Sequence, residues 1–238
     1  KEISGNDIGV WFSYDTKPGE TIYVQTGVSF VSEENALLNL TTEQPTLDFA
    51  AVRRAAEDSW EKALSVVEVE GGTTDQRKIF YTALYHLLIH PNILQDVNGQ
   101  YPMMGSLQTA TTKHDRYTVY SLWDTYRNVH PLLSILYPRK QLAMVETMLD
   151  MYKEAGWLPK WELYGQETFT MEGDPSIIVI NDTWQRGIRD FDTKLAYEAM
   201  LKGATTPGKD NKLRPDFEDY ASRGYVPLRE QFDNSVSH

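Results

Sequence analysis

From Phe49 onward the apolar residues recur every three or four positions, and each run opens or closes on a residue that punctuates helices. Phe49, Val52, Ala56, Trp60 and Ala63 share one helical face behind the breaker and cap of Pro45-Thr-Leu-Asp48. Ile79, Ala83, Leu84, Leu87 and Leu88 form a second face, which Pro91 stops because proline lacks the N–H that another turn needs. Further helices are predicted to start at Ser121, with Asp124 as fourth member of a capping box, at Pro138 as a first helical residue, and at Asp174-Pro175 as cap and first residue. Another runs from Asp190 to Lys202 and ends at Gly203. No strand signal alternates with these helices. Successive helices joined by the long loops Asn92–Tyr120 and Ala155–Gly173 fit a mainly α toroid better than a parallel α/β sheet.

The N-terminal part reads differently. Val10, Phe12 and Tyr14, then Ile22, Val24 and Val28, alternate on either side of the turn Lys17-Pro-Gly-Glu20, which predicts a β-hairpin over residues 8–31. With 238 residues and 41% hydrophobic content the chain can build a sizeable core. Its formal charge of -11 disfavours a polyanionic partner, so nucleic acid is not expected. No apolar run approaches the roughly 20 residues of a membrane span. The absence of cysteine excludes disulfides and thiolate metal sites but leaves the compartment open. Lys1 opens directly into polar sequence and Asp233–His238 reads as a helix start without its helix, so an internal fragment is expected.

The chemistry concentrates in Gly156–Pro175, GWLPKWELYGQETFTMEGDP, where Glu162, Glu167 and Glu172 stand beside Trp157 and Trp161. Sugars offer apolar faces that stack on indoles and hydroxyls that donate to carboxylates, so this composition points to carbohydrate. Some thirty residues upstream, Trp123 and Arg127 of SLWDTYR share a helical face, and Asp124 between them is either a capping acid paired with Arg127 or an acceptor for two adjacent hydroxyls. Asp174 before Pro175 reads first as an N-cap. Glu172 lies in the loop before that cap, next to Gly173, and is the better substrate contact. Glu162 and Glu167 fit a solvated loop face. His86 and His90 stand four apart, but without the glutamate of an HExxH site they read as core histidines. No phosphate-binding glycine loop, GxSxG motif or thiol nucleophile occurs.

IFYTALYHLLIHPN (Ile79–Asn92), YSLWDTYRNVHPL (Tyr120–Leu132), GWLPKWELYG and MEGDPS, in this order and spacing, closely resemble family 92 glycoside hydrolases, bacterial exo-acting α-mannosidases. That resemblance implies a β-sandwich followed by an (α/α)6 barrel. Residues 1–45 would end the sandwich and its linker, and residues 46–238 would form the first part of the barrel. It implies calcium-dependent hydrolysis with inversion, mannose-terminated glycans as substrate, the remainder of the same polypeptide as partner, and a periplasmic, secreted or cell-surface location. Trp123, Asp124, Glu172 and Asp174 would line the terminal-mannose subsite. The family's general-acid and base motifs do not occur here, so no catalytic residue is assigned; these groups and most calcium ligands are expected beyond His238. The competing readings are a non-catalytic glycan-binding module and another toroidal glycoside hydrolase using Glu162, Glu167 or Glu172.

Overall fold

The computed structural model describes residues 5–208 and 211–227. Among them the fold is mainly helical: α1 (Glu33–Glu43), α2 (Phe49–Leu64), α3 (Thr74–Leu87), α4 (Leu122–Thr125), α5 (Val129–Leu136), α6 (Pro138–Ala155), α7 (Pro175–Gln185), α8 (Thr193–Thr205) and α9 (Phe217–Arg223). Short strands occupy the two long loops: β1 (Asn92–Ile93), β2 (Gln100–Pro102), β3 (Thr109–Thr111), β4 (Tyr117–Thr118), β5 (Tyr120–Ser121), β6 (Trp161–Leu163) and β7 (Gln166–Glu167). All pairings are antiparallel, β1 with β4, β2 with β3, and β5–β6–β7 in one small sheet.

The core is organised around α6. Pro138 opens it at a position where the missing N–H costs nothing, and Gly156, at φ 81, closes it in the left-handed conformation that glycine tolerates. Between them Ala143, Met144, Val145, Met148, Leu149, Met151 and Tyr152 are all buried, the signature of a helix enclosed on most sides. α5, α7 and α8 pack on it with Leu133, Val179, Ile180, Ala196 and Ala199. The α2–α3 pair is attached more lightly, with Trp60 and Tyr85 rings 4.4 Å apart and the Tyr137 hydroxyl donating to the Ala63 carbonyl at 2.8 Å.

Two buried polar systems tie these layers together. Arg116, fully buried, gives Glu154 of α6 two parallel hydrogen bonds of 3.0 and 2.8 Å. Its guanidinium lies 4.4 Å from the Tyr101 ring centroid, and Glu154 also accepts from the Tyr101 hydroxyl at 2.8 Å and the Met104 N–H at 2.7 Å. The second is a chain across three helices. Gln141 Nε2 donates to Thr183 Oγ1 at 2.9 Å, so its Oε1 is the acceptor that faces His130 Nδ1 at 3.0 Å. His130 therefore donates from Nδ1, and its buried Nε2 has no partner among the described residues. Burial pushes the ring pKa down to about 4.

Several expectations change. Residues 8–31 keep only the turn, with Glu20 N–H donating to the Lys17 carbonyl at 3.0 Å, and form no paired ladder among the described residues. Val10, Trp11 and Phe12 stand 80, 84 and 76% exposed, and a lone two-stranded ribbon without a face to cover is marginal in water. α1 falls where no helix is predicted. His86 and His90 are exposed rather than core residues, because Leu84 sets the inward face of α3; the core histidine is His130. α8 runs through Gly203 instead of ending there, and a Cβ at Gly203 would stand 3.1 Å from Asp174 Oδ2, so the glycine serves close packing.

Replacing Glu154 by Gln leaves the buried Arg116 charge uncompensated and is expected to cost about 3 kcal/mol or more in urea unfolding. A separate effect comes from His130. The unfolded ring takes a proton near its ordinary 6.5 whereas the folded ring waits until about 4, so stability is lost as pH falls through that window. The expected loss is up to about 3 kcal/mol between pH 7 and 4. Unfolding curves across this range should show the step in the native chain and a flatter profile in His130→Gln.

Candidate functional site

The two sequence motifs that suggest carbohydrate lie far apart in the chain and are joined in space by β5 and β6. Tyr120 faces Glu162 and Ser121 faces Trp161 in the antiparallel register, so SLWD leaves the sheet beside KWEL. α4, which carries Trp123 and Asp124, packs on α7, the helix that Asp174 precedes. Backbone conformations that side-chain-bearing residues avoid concentrate around this junction: Val119 at φ 63, Tyr164 at φ 48, Phe169 at φ 53 and Met171 at φ 67. Such strain persists where surrounding contacts over-determine it, commonly at functional loops.

Trp123 is half-buried, with the Arg127 guanidinium 5.7 Å from its ring and 4.5 Å from that of Tyr126. Asp124 is exposed. The expected capping box does not form, because Ser121 still belongs to β5 and α4 is only four residues long. Nor does Asp124 pair with Arg127, and among the described residues its carboxylate makes no hydrogen bond. Glu172 is half-buried and forms no hydrogen bond among the described residues either, although its charge acts on Lys160.

Asp174 occupies the N-cap position of α7 without capping it. Its Oδ1 accepts from the Ser176 hydroxyl at 3.1 Å, and its Oδ2 lies 3.5 Å from Arg214 Nε. The carboxylate is buried between α7 and α8, and burial raises its pKa against the opposing pull of Arg214. Asp174 lines a cavity of about 300 Å³ together with Ala204, Arg214, Phe217 and Tyr220.

The other two glutamates are not a solvated face. Glu162 is fully buried, and its carboxylate receives the Gly165 N–H at 2.6 Å, the Val119 N–H at 3.1 Å and the Thr118 hydroxyl at 3.0 Å. Burial pushes its pKa up to about 7, while the Gly165 and Thr118 donors pull it down. Glu167 accepts from the Lys160, Trp161 and Phe169 N–H groups at 2.7, 2.9 and 2.7 Å. It ties the start of β6 to the segment that leaves β7. Lys160, absent from the sequence candidates, is buried beside Pro159 and Trp161; burial lowers its pKa, and the charges of Glu172, Asp174 and Glu167 oppose that. A lysine between a proline and a tryptophan in the acid-rich loop is the signal that could have found it.

Among the described residues no three His, Asp or Glu side chains gather so as to hold a metal ion, and calcium requires six to eight oxygens. No helix among the described residues is long and apolar enough to cross a membrane.

A model of the glycosyl hydrolase family 92 catalytic domain matches residues 35–238. The chain belongs to glycosyl hydrolase family 92. An uncharacterized secreted glycosidase of Arthroderma benhamiae is 29% identical over 216 residues, 88% of this chain and 24% of that protein. Among solved structures, a family 92 inverting mannosidase of Bacteroides thetaiotaomicron superposes with a TM-score of 0.79 and 31% identity over 85% of this chain and 28% of its own. A family 92 α-mannosidase of the same organism gives a TM-score of 0.76 and 32% identity over 84% and 26%. The chain thus spans about a quarter of the length of these relatives.

Within this family 92 loop, Glu167 has each oxygen committed to backbone donors. Glu167→Gln is expected to lower stability by about 1–3 kcal/mol, by leaving amides unsatisfied. Urea unfolding measures the loss, and an unchanged midpoint in Glu167→Gln would overturn the structural role.

Proposed function

We propose that this chain supplies the terminal-sugar subsite of an exo-acting α-mannosidase that hydrolyses mannose-terminated glycans with inversion and requires calcium. The observation that carries the reading is the β5–β6 pairing, which sets Trp123 and Asp124 beside the acid-rich loop in a family 92 chain. The likeness to an inverting mannosidase supports the stereochemistry.

In this reading the Trp123 ring packs on an apolar face of mannose and the uncommitted Asp124 carboxylate accepts from two adjacent hydroxyls. Glu172 contributes a further acceptor, and Lys160 balances the negative charge of the loop. Inversion needs an acid and a base roughly 6.5 to 9.5 Å apart with water between them. Glu162 and Glu167 are occupied by backbone donors, which weighs against a toroidal hydrolase that uses either as its acid. We assign the acid, the base and the calcium ligands to family 92 sequence beyond the matched span. A bound calcium would supply hard-cation polarisation of sugar hydroxyls.

The helices from α2 onward form the first part of an (α/α)6 toroid in this proposal, and residues 1–45 end a β-sandwich and its linker. The exposed alternation of Val10, Phe12 and Val24 supports a sheet as their neighbour. A periplasmic, secreted or cell-surface location fits such a substrate, and a secreted relative supports it.

The test is release of mannose from α-mannosides by the full-length enzyme carrying this sequence. Asp124→Ala is expected to cut kcat/KM about a hundredfold, the loss of roughly two charge-assisted hydrogen bonds. Chelation should abolish turnover and added calcium restore it. Glycan binding without hydrolysis by the full-length enzyme would instead favour a binding module, and unchanged kinetics in Asp124→Ala would remove Asp124 from the subsite.

A further inference from the structure

We infer that Glu162 is a positioning residue for the sugar site, holding the Val119 bend that directs Trp123 and Asp124. The inference rests on the mannosidase reading for its consequence in turnover, but its structural part stands on the geometry alone.

Between β4 and β5 the chain turns at Val119, a β-branched residue at φ 63, where its side chain crowds the backbone. β4 pairs with β1, whereas β5 pairs with β6, so this one residue switches the strand from one small sheet to another. Glu162 sits at the switch. Its Oε2 takes the Val119 N–H and its Oε1 takes the Gly165 N–H, while the Thr118 hydroxyl reaches both oxygens at 3.0 Å. Thr118 Oγ1 in turn accepts the Tyr164 N–H at 2.9 Å, which secures the second strained residue, Tyr164, at φ 48.

Every group that the structure sets against this side chain is a donor, so its ionised form, which only accepts, is the one that satisfies them all. Glutamine has the same shape but must turn its NH2 toward either Val119 or Gly165, setting donor against donor. Glu162→Gln is thus a minimal change that removes the lock while retaining the volume. Trp123 and Asp124 follow Val119 by four and five residues, within one short strand and the start of α4. Loss of the bend moves both.

A double-mutant cycle in the full-length enzyme separates positioning from bulk stability. Glu162→Gln alone should lower kcat/KM on an α-mannoside about tenfold or more at temperatures where it remains folded. In the Asp124→Ala background the same change should cost little further, because the residue it positions is gone. Val119→Gly, which accepts φ 63 without strain, should restore part of the activity lost in Glu162→Gln. Hydrogen exchange on the purified chain should accelerate at Val119–Asp124 in Glu162→Gln and stay unchanged in α8. Full activity in Glu162→Gln, additive losses with Asp124→Ala, or unchanged exchange at Val119–Asp124 would each overturn the inference. An enzyme inactive on mannosides would defeat the functional reading only, and the exchange experiment would still decide the role of Glu162.

Discussion

The bidentate pair between Arg116 and Glu154 is the contact through which the irregular half of this molecule is held to the regular half. Glu154 stands near the end of α6, the helix that the core encloses, and Arg116 closes the long loop in which β1–β4 lie. Two ions removed from water gain from each other only when the geometry is good and the remaining oxygens are satisfied. Here the loop itself satisfies the oxygens, because Tyr101 and Met104 donate to the same carboxylate, while the buried Arg116 Nε–H has no partner among the described residues. The pair therefore specifies where β2 and β4 sit against α6 more than it adds net stability.

The site inherits that placement. Arg116 is followed by Tyr117 and Thr118 of β4, then by the bend at Val119, then by β5 and the short helix with Trp123 and Asp124. Each step is fixed by a polar contact to a different part of the chain: Glu154 to α6, Thr147 Oγ1 to the Tyr117 N–H at 3.2 Å, and Glu162 to the Val119 N–H. A loop whose own residues disfavour their φ values can hold one conformation only when such contacts accumulate. Rigid presentation of a half-buried indole and an exposed carboxylate is what the proposed sugar subsite demands.

How far this was legible in the sequence follows from the range of the contacts involved. α2, α3, α6 and α7 were readable because their apolar spacing and proline starts are local. α1 was not, since its inward face is Asn35 and Asn39, which donate to Asp96 at 2.7 Å, while Leu37 and Leu38 point outward. A pattern reading that equates apolar with buried inverts such a helix. The hairpin of residues 8–31 failed for the opposite reason: alternation records a preference for a sheet but does not supply the partner that stabilises one. The resemblance of motifs located the loop and α4 together, yet capping chemistry misread both Asp124 and Asp174. Ser121 is held by a strand forty residues away, and Asp174 is drawn toward Arg214.

The carboxylates of the acid-rich loop separate by what already binds them. Glu162 and Glu167 each accept at least three donors from nearby backbone or hydroxyl groups, so their hydrogen-bonding capacity is spent on shape. Asp174 is half spent, with one oxygen on Ser176 and the other near Arg214. Glu172 and, across the β5–β6 junction, Asp124 retain their acceptors. An acid can bind substrate hydroxyls only with capacity the fold has not used. Density of acids in sequence therefore marks a candidate site, whereas the distribution of backbone N–H donors decides which of its acids keep acceptors free.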